Sequence, residues 1–154
     1  GPENDDSGAD LPLEVVSQRT QPGSIETLDL AHDHLHAVDL LPAGSLLGGA
    51  GLQDIMLYGK REAELGYWVR KSARGRGVAS TAIRAIAGFA FNELKLVRAS
   101  MRIRLDNTSS RRAAERAGAS FEGVTRHGIV HGEARFDAAH YSLLPADLAR
   151  PWSL

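Results

Sequence analysis

The sequence predicts an α+β domain: a mixed, mostly antiparallel sheet with helices packed on its faces as a three-layer αβα sandwich. Three observations carry this reading. Stretches of strand-like content joined by short turns run up to residue 70 and read as hairpins. Beyond a glycine-rich loop, Val78, Ala82, Ile83, Ile86, Ala90, Phe91 and Leu94 recur at helical spacing. Val97, Ala99, Met101, Ile103 and Leu105 then alternate with Arg98, Ser100, Arg102 and Arg104, as a half-buried strand with one charged face does. A strand, a helix and a second strand between Val69 and Leu105 call for a parallel crossover, which places one parallel pair inside the sheet.

Residues 1–10 read as a flexible acidic lead that begins with Gly1-Pro2, the pattern of a protease-cleavage scar. The domain itself is expected over residues 11–148, with a tail at 149–154. Leu11 to Val16 is a candidate first strand, and Gln21-Pro22-Gly23-Ser24 is turn chemistry. Ser24 to Asp33 fits a short helix capped by Ser24 or Thr27, whereas Leu35 to Leu41 alternates at strand period. Leu41-Pro42-Ala43-Gly44 turns into a strand from Ser45 to Tyr58, and Ala63 to Arg70 forms the next. Asn107 and Thr108 can cap a short helix running through Ala117, closed by Gly118 in the left-handed conformation. Two strands, near Ser120–His131 and Ala134–Leu144, form a hairpin around Gly132-Glu133.

At 154 residues the chain is about one domain long, with 43% hydrophobic and 24% charged residues, which argues against a multidomain machine. No apolar run approaches the roughly 18 residues of a membrane span, so no membrane partner is expected. Eighteen basic against nineteen acidic residues give a formal charge of −1, so no chain-wide positive field recruits nucleic acid. The absence of cysteine excludes disulfides, thiol nucleophiles and cysteine metal sites. No secretory-signal pattern is visible, and a cytoplasmic location is expected.

The strongest local signal is Arg70-Lys71-Ser72-Ala73-Arg74-Gly75-Arg76-Gly77-Val78-Ala79, placed between a strand and the best helix. Glycines let the backbone approach a bound anion, successive amides form a donor cradle, and the helix start adds about half a positive charge. The loop suits a pyrophosphate. It is neither a Walker loop nor a dinucleotide turn. The bland reading is a solvated basic turn that merely starts a helix.

At these residues the sequence resembles the GNAT acyltransferases. Arg74-Gly75-Arg76-Gly77-Val78-Ala79 is similar to their coenzyme A loop, and Glu64-Leu65-Gly66-Tyr67-Trp68-Val69 looks like the RimJ/RimL-type ribosomal-protein N-acetyltransferase branch. Asn107-Thr108-Ser109-Ser110, Gly118, Glu122-Gly123 and Arg126 continue the pattern in order, so the resemblance runs from about Leu35 to Leu144. It implies a GNAT-like sheet whose central parallel strands splay, with the pantetheine arm of acetyl-coenzyme A inserted between them. It also implies that main-chain groups of Trp68, Val69 and Arg70 bond the pantetheine, with an amide near Val69 polarising the thioester carbonyl. Arg74, Gly75, Arg76, Gly77, Val78 and Ala79 would hold the pyrophosphate, and Asn107 would bond the arm near the thioester.

Chemistry then needs a base for the amine and a donor for the departing thiolate. The tyrosine that many of these enzymes use falls here on Ala114, which leaves that role vacant. The resemblance implies Ser110 instead, against the plain reading of a first-turn serine that satisfies backbone amides. The carboxylate expected in the strand after Arg126 is missing from His127-Gly128-Ile129-Val130-His131. Glu64 is the preferred base, acting through water, with His127 second. His32, His34 and His36 alternate as a strand metal site would, yet no further ligand clusters with them, and no metal is expected. Tyr141 is read as core packing, and Arg98, Arg102 and Arg104 as a polar strand face.

The resemblance therefore implies direct acetyl transfer to a primary amine. The acceptors, in order, are a protein N-terminus, a small amine or aminoglycoside, and an amino acid. The section ahead of the first motif is shorter than the branch usually carries, which a truncated domain, an open acceptor site or completion by a second subunit in a homodimer would each explain. Two rivals stand beside this reading: a catalytically degenerate acyl-coenzyme A binding or sensing module, and a nucleic-acid binding domain using Arg70 to Arg76.

Overall fold

Antiparallel pairing dominates the first half of the chain. The structure, a computed structural model, describes residues 25–29, 34–39, 48–69 and 77–149. Strands β1 (Ile25–Asp29), β2 (His34–Asp39), β3 (Gly48–Met56) and β4 (Glu62–Val69) follow one another as an antiparallel meander. Helix α1 (Val78–Asn92) carries the chain across to β5 (Arg98–Arg104), which lies parallel to β4. After α2 (Thr108–Arg116) come β6 (Ser120–His131), β7 (Ala134–Leu143) and the single turn α3 (Pro145–Leu148). The sheet order is β1-β2-β3-β4-β5-β7-β6, so β7 pairs with β5 and leaves β6 at the edge. This is the mixed sheet with one internal parallel pair that the crossover predicts.

The short helix expected over Ser24–Asp33 is not what residues 25–29 form. Within Ser24–Asp33 the chain forms β1, paired Ile25↔Val38 through Asp29↔His34, because five residues gain more from a ladder with β2 than from one unsupported helical turn. The expected lead at 1–10, the strand at Leu11–Val16 and the turn at Gln21–Ser24 lie outside the described residues.

Burial follows the strand period. Ala50 and Leu52 of β3, Ala63 and Leu65 of β4, Ala99, Met101 and Ile103 of β5, and Ala139, Tyr141 and Leu143 of β7 share one face and are buried. Against them α1 packs Ala82, Ile83, Ile86, Ala87, Ala90 and Phe91, the alanines letting the helix approach the sheet closely. Helix α2 docks beside α1: Ser80 Oγ donates to Ala113 O at 3.0 Å, and Ala114 and Ala117 are fully buried. Arg84 ties three elements together, with Nη1 donating to Ala117 O and Nη2 to Leu148 O. All three described helices thus lie on this face, and the described residues place none on the other.

Local signals hold at both ends of the helices. Gly77 precedes α1 at φ 77, and its carbonyl accepts from both Thr81 N and Thr81 Oγ1. Asn107 caps α2 by accepting from Ser110 N at 3.1 Å. Gly118 ends it at φ 101, with Gly118 N donating to Glu115 O and Ala119 N to Ala114 O, the paired bonds of a Schellman turn.

Two glycine substitutions should therefore differ in sign. Gly118→Ala forces a side chain into a left-handed backbone and should lower unfolding free energy in urea by about 1–3 kcal/mol. Gly88→Ala, in the middle of α1 where a Cβ meets only Leu148 Cδ1 at 4.0 Å, should raise it by up to about 1 kcal/mol.

Candidate active site

The parallel pair is short. β4 and β5 register only at Glu62↔Arg98, Ala63↔Ala99 and Glu64↔Ser100, although β4 continues to Val69 and β5 to Arg104. Past Glu64 each strand keeps its outer neighbour: β4 stays paired to β3 up to Gly48↔Val69, and β5 to β7 up to Arg104↔Ala138. The two strands part between those anchors. The edge of β4 from Leu65 to Val69 that faces β5 is left with backbone donors and acceptors outside any ladder, which is where an extended ligand can add itself as a false strand.

Residues from both sides of the sheet converge on this gap. On the helix face, Tyr67 reaches from the unpaired part of β4 to the start of α2: its hydroxyl donates to Ser110 O at 2.7 Å and accepts from Ser110 Oγ at 2.8 Å. Burial pushes the Tyr67 phenol well above its ordinary range, and the Ser110 hydroxyl pulls it part of the way back. Asn107 spends its Oδ1 on the α2 cap, accepting from Ser110 N and Ser109 Oγ. Behind them Tyr141, fully buried, donates to Glu115 Oε2 at 2.6 Å and accepts from Arg111 Nε at 3.1 Å, while Arg111 Nη1 donates to Leu105 O. This cluster fixes α2 against β7 from Arg111 to Glu115, and it gives Tyr141 the packing role expected of it.

The opposite face is polar. Glu64 is held by Arg102, whose Nε donates to Oε2 at 2.7 Å and Nη2 to Oε1 at 3.3 Å, and by Gln53 Nε2 at 3.2 Å. Arg98 bridges Glu62 and Glu122, and Arg104 pairs with Asp106 while lying over the Phe136 ring. The polar strand face read from Arg98, Arg102 and Arg104 is thus a set of matched ion pairs. Trp68 shares this face. Its indole Nε1 is buried without a hydrogen-bond partner, a donor left over at the place where the strands separate.

Glu64 and Ser110, the two proposed catalytic groups, consequently lie on opposite sides of the sheet, flanking the gap rather than touching. Trp68 and Val69 occupy the unpaired edge. Gly77, Val78 and Ala79 form the entry to α1, whose first-turn amides have no intrahelical acceptor. Arg70, Arg74, Gly75 and Arg76 lie outside the described residues. His127 sits at φ 54 in a bulge of β6, exposed, its backbone N donating to Asp137 Oδ1; Arg102 Nη1 reaches the next carbonyl, Gly128 O, at 3.4 Å. Ala114 is buried in the helix contact. Of the three alternating histidines, His34 and His36 fall on β2 and His32 outside the described residues. No group of His, Asp and Glu suited to a metal occurs among the described residues. Tyr67 went unassigned in the sequence. Its signal was there: it falls in phase with buried Ala63 and Leu65, where a phenol must find a partner.

With the fold and the gap described, comparison with known proteins gives the family. The model of the acetyltransferase (GNAT) domain matches residues 17–120, and the chain belongs to this family. Among curated proteins it is 37% identical over 105 residues to the "Putative ribosomal N-acetyltransferase YdaF" of Bacillus subtilis, covering 68% of this chain and 57% of that protein. It is 33% identical over 84 residues to the "Probable N-acetyltransferase YjcK" of the same organism, covering 54% of this chain and 46% of that protein. The chain thus spans about half the length of these relatives. Among solved structures, Mycobacterium smegmatis RimJ in complex with CoA-disulfide superposes with a TM-score of 0.70 at 24% identity, over 77% of this chain and 56% of that one. A crystal structure titled as a probable acetyltransferase gives 0.68 at 33% identity, over 77% and 66%. The RimJ/RimL-like branch is the one these relatives support. No helix among the described residues is long and apolar enough to cross a membrane.

The ion pairs predict a pH response. Hydrogen bonds from Arg98 and then Ser142 hold the Glu122 carboxyl down at about 2. A depressed carboxylate stabilises the fold above its unfolded value near 4.5 and loses that contribution as pH falls toward 2. Because Glu122 is partly solvated, the share is under about 1 kcal/mol. The Tm of Glu122→Gln should therefore fall less than that of the parent between pH 5 and pH 2.5.

Proposed function

We propose that the chain is an N-acetyltransferase domain, expected over residues 11–148, that moves an acetyl group from acetyl-coenzyme A to a primary amine by direct attack in a ternary complex. The observation that carries this reading is the parting of β4 from β5 after Glu64 and Ser100, which exposes a strand edge directly ahead of the glycine-arginine loop and α1. Acetyl-coenzyme A supplies the activated acyl carbon and a thiolate leaving group.

The residues present fit such a cosubstrate. Backbone groups of Trp68, Val69 and Arg70 would take the pantetheine as a false strand, and the Val69 amide would stabilise the oxyanion. Asn107 keeps its Nδ2 for the arm, since Oδ1 serves the cap. Arg74 to Ala79, ending at the start of α1, would hold the pyrophosphate, where amides and the helix dipole favour negative charge. Glu64 receives the amine proton through a water on the polar face, and Ser110 donates a hydrogen bond to sulfur from the helix face. Division of these roles across the sheet lets the base serve the amine and the donor serve sulfur without competing for the same space.

A protein N-terminal amine is the first acceptor, supported by the relative named as a putative ribosomal N-acetyltransferase; a small amine or aminoglycoside follows. The spermidine acetyltransferases among the structural neighbours, at about 20% identity, speak for the fold alone. On the polar face Glu62, Glu64, Glu122 and Asp106 each pair with an arginine. The cysteine-free composition suits a reducing, cytoplasmic setting.

Two outcomes test the reading. Calorimetric titration should show saturable acetyl-coenzyme A binding that Gly77→Glu abolishes with the far-UV spectrum unchanged; equal affinity in the variant would remove the loop from the site. Glu64→Gln should lower kcat by about 10²-fold and flatten the rise of kcat/KM with pH, whereas a superimposable profile would assign the proton to another group. Binding without turnover on a panel of amines would instead identify a sensing module.

A further inference from the structure

Tyr67 belongs to no role the reading above assigns, yet its hydroxyl spans the gap from β4 to α2. A buried phenol needs one hydrogen bond, and the bond to Ser110 O at 2.7 Å already provides it. The second bond is additional: Ser110 Oγ, on the first turn of α2, points its hydroxyl at Tyr67 at 2.8 Å rather than back at its own helix. The two acceptors of the Tyr67 proton, Ser110 O and Ser110 Oγ, therefore both lie within hydrogen-bonding reach of one oxygen. Ser110 O has a second partner within the helix, the amide four residues on, and can release Tyr67 without becoming an orphan.

We propose that Tyr67 is a positioning residue that switches its hydroxyl proton from Ser110 O to Ser110 Oγ, turning the Ser110 hydroxyl toward the leaving sulfur; this rests on the reading of Ser110 as the thiolate's donor. In the resting state Ser110 spends its proton on Tyr67. After the switch Tyr67 donates to Ser110 Oγ, and Ser110 Oγ–H is free to donate across the gap. When the carbon–sulfur bond breaks, its electron pair stays on sulfur, which accepts the Ser110 hydrogen bond; solvent protonates the thiolate after release. No proton leaves Tyr67 in this step, consistent with a phenol whose burial disfavours the anion. Tyr67 also ties the end of β4, where the carbonyl would be held, to the helix that carries the donor.

The test is a cycle of Tyr67→Phe, Ser110→Ala and the double variant in the full chain, followed by thiol release from acetyl-coenzyme A. Each single variant should lower kcat by about tenfold or more with KM for acetyl-coenzyme A within about twofold, and the double variant should be no slower than Ser110→Ala alone. Ser110→Thr, which keeps a hydroxyl, should recover most of the rate. Wild-type kcat in Ser110→Ala would overturn the role of Ser110 itself. A slow Ser110→Ala beside an unimpaired Tyr67→Phe would overturn the role of Tyr67 alone, as would fully multiplicative losses in the double variant. Should Tyr67→Phe fold poorly, site-specific replacement of Tyr67 by 2,3-difluorotyrosine keeps the hydroxyl and makes it a better donor: kcat at or above the parent supports the switch, and the loss seen in a hydroxyl-free variant contradicts it.

Discussion

Everything proposed for this chain depends on a parallel pairing that stops after three residues. β4 is held along its full length by β3, and β5 along most of its length by β7, so neither strand is free to close on the other. A sheet that paired fully at this point would have no backbone to offer a ligand and no passage between its faces. Because the strands part, the main chain of β4 from Leu65 to Val69 becomes a template, and side chains on opposite faces of the sheet can address one bond. Tyr67 spans the opening from the helix side, and Trp68 leaves an unused donor on the other.

The polar face shows how a sheet can leave one side without helices and remain charge-balanced. Arg98, Arg102 and Arg104 share one face of β5 with Ser100 between the first two, and each meets a carboxylate: Glu62 and Glu122, Glu64, and Asp106. The arginines cover the sheet with their aliphatic stems while their guanidinium groups remain in contact with water. Individually such partly exposed pairs contribute little to stability, and Arg102 with Gln53 fixes where Glu64 points. That coupling has a consequence for catalysis: a water or amine that takes a proton to Glu64 competes with Arg102 for the same oxygens.

Much of this was legible in the residues. The apolar stripe from Val78 to Phe91, the alternation of β5, the Asn107 cap, the Gly118 terminus and the hairpin at Gly132-Glu133 are set by contacts within a few residues, and the structure has them where the pattern puts them. What could not be read depends on partners distant in sequence. Ser24–Asp33 read locally as a helix, and the ladder with β2 that makes residues 25–29 a strand comes from outside the segment. The insertion of β7 between β5 and β6, the bulge that strains His127, and the bond from Tyr67 to a residue 43 positions away follow from tertiary packing. Glu64 and Ser110 could be picked out by type and motif, but their placement on opposite faces needed the register of β4 and the docking of α2.

The claim on which the account turns is that the unpaired edge of β4 receives the cosubstrate, and hydrogen exchange tests it directly. With saturating acetyl-coenzyme A, amides in peptides covering Leu65 to Val69 and Gly77 to Ala79 should slow markedly, while the end of α1 and the entry to β5, Phe89 to Leu96, at the opposite end of the parallel pair from the gap, keep their rates. Protection confined to other segments, or exchange at Leu65 to Val69 that is unchanged by a ligand shown to bind, would contradict it.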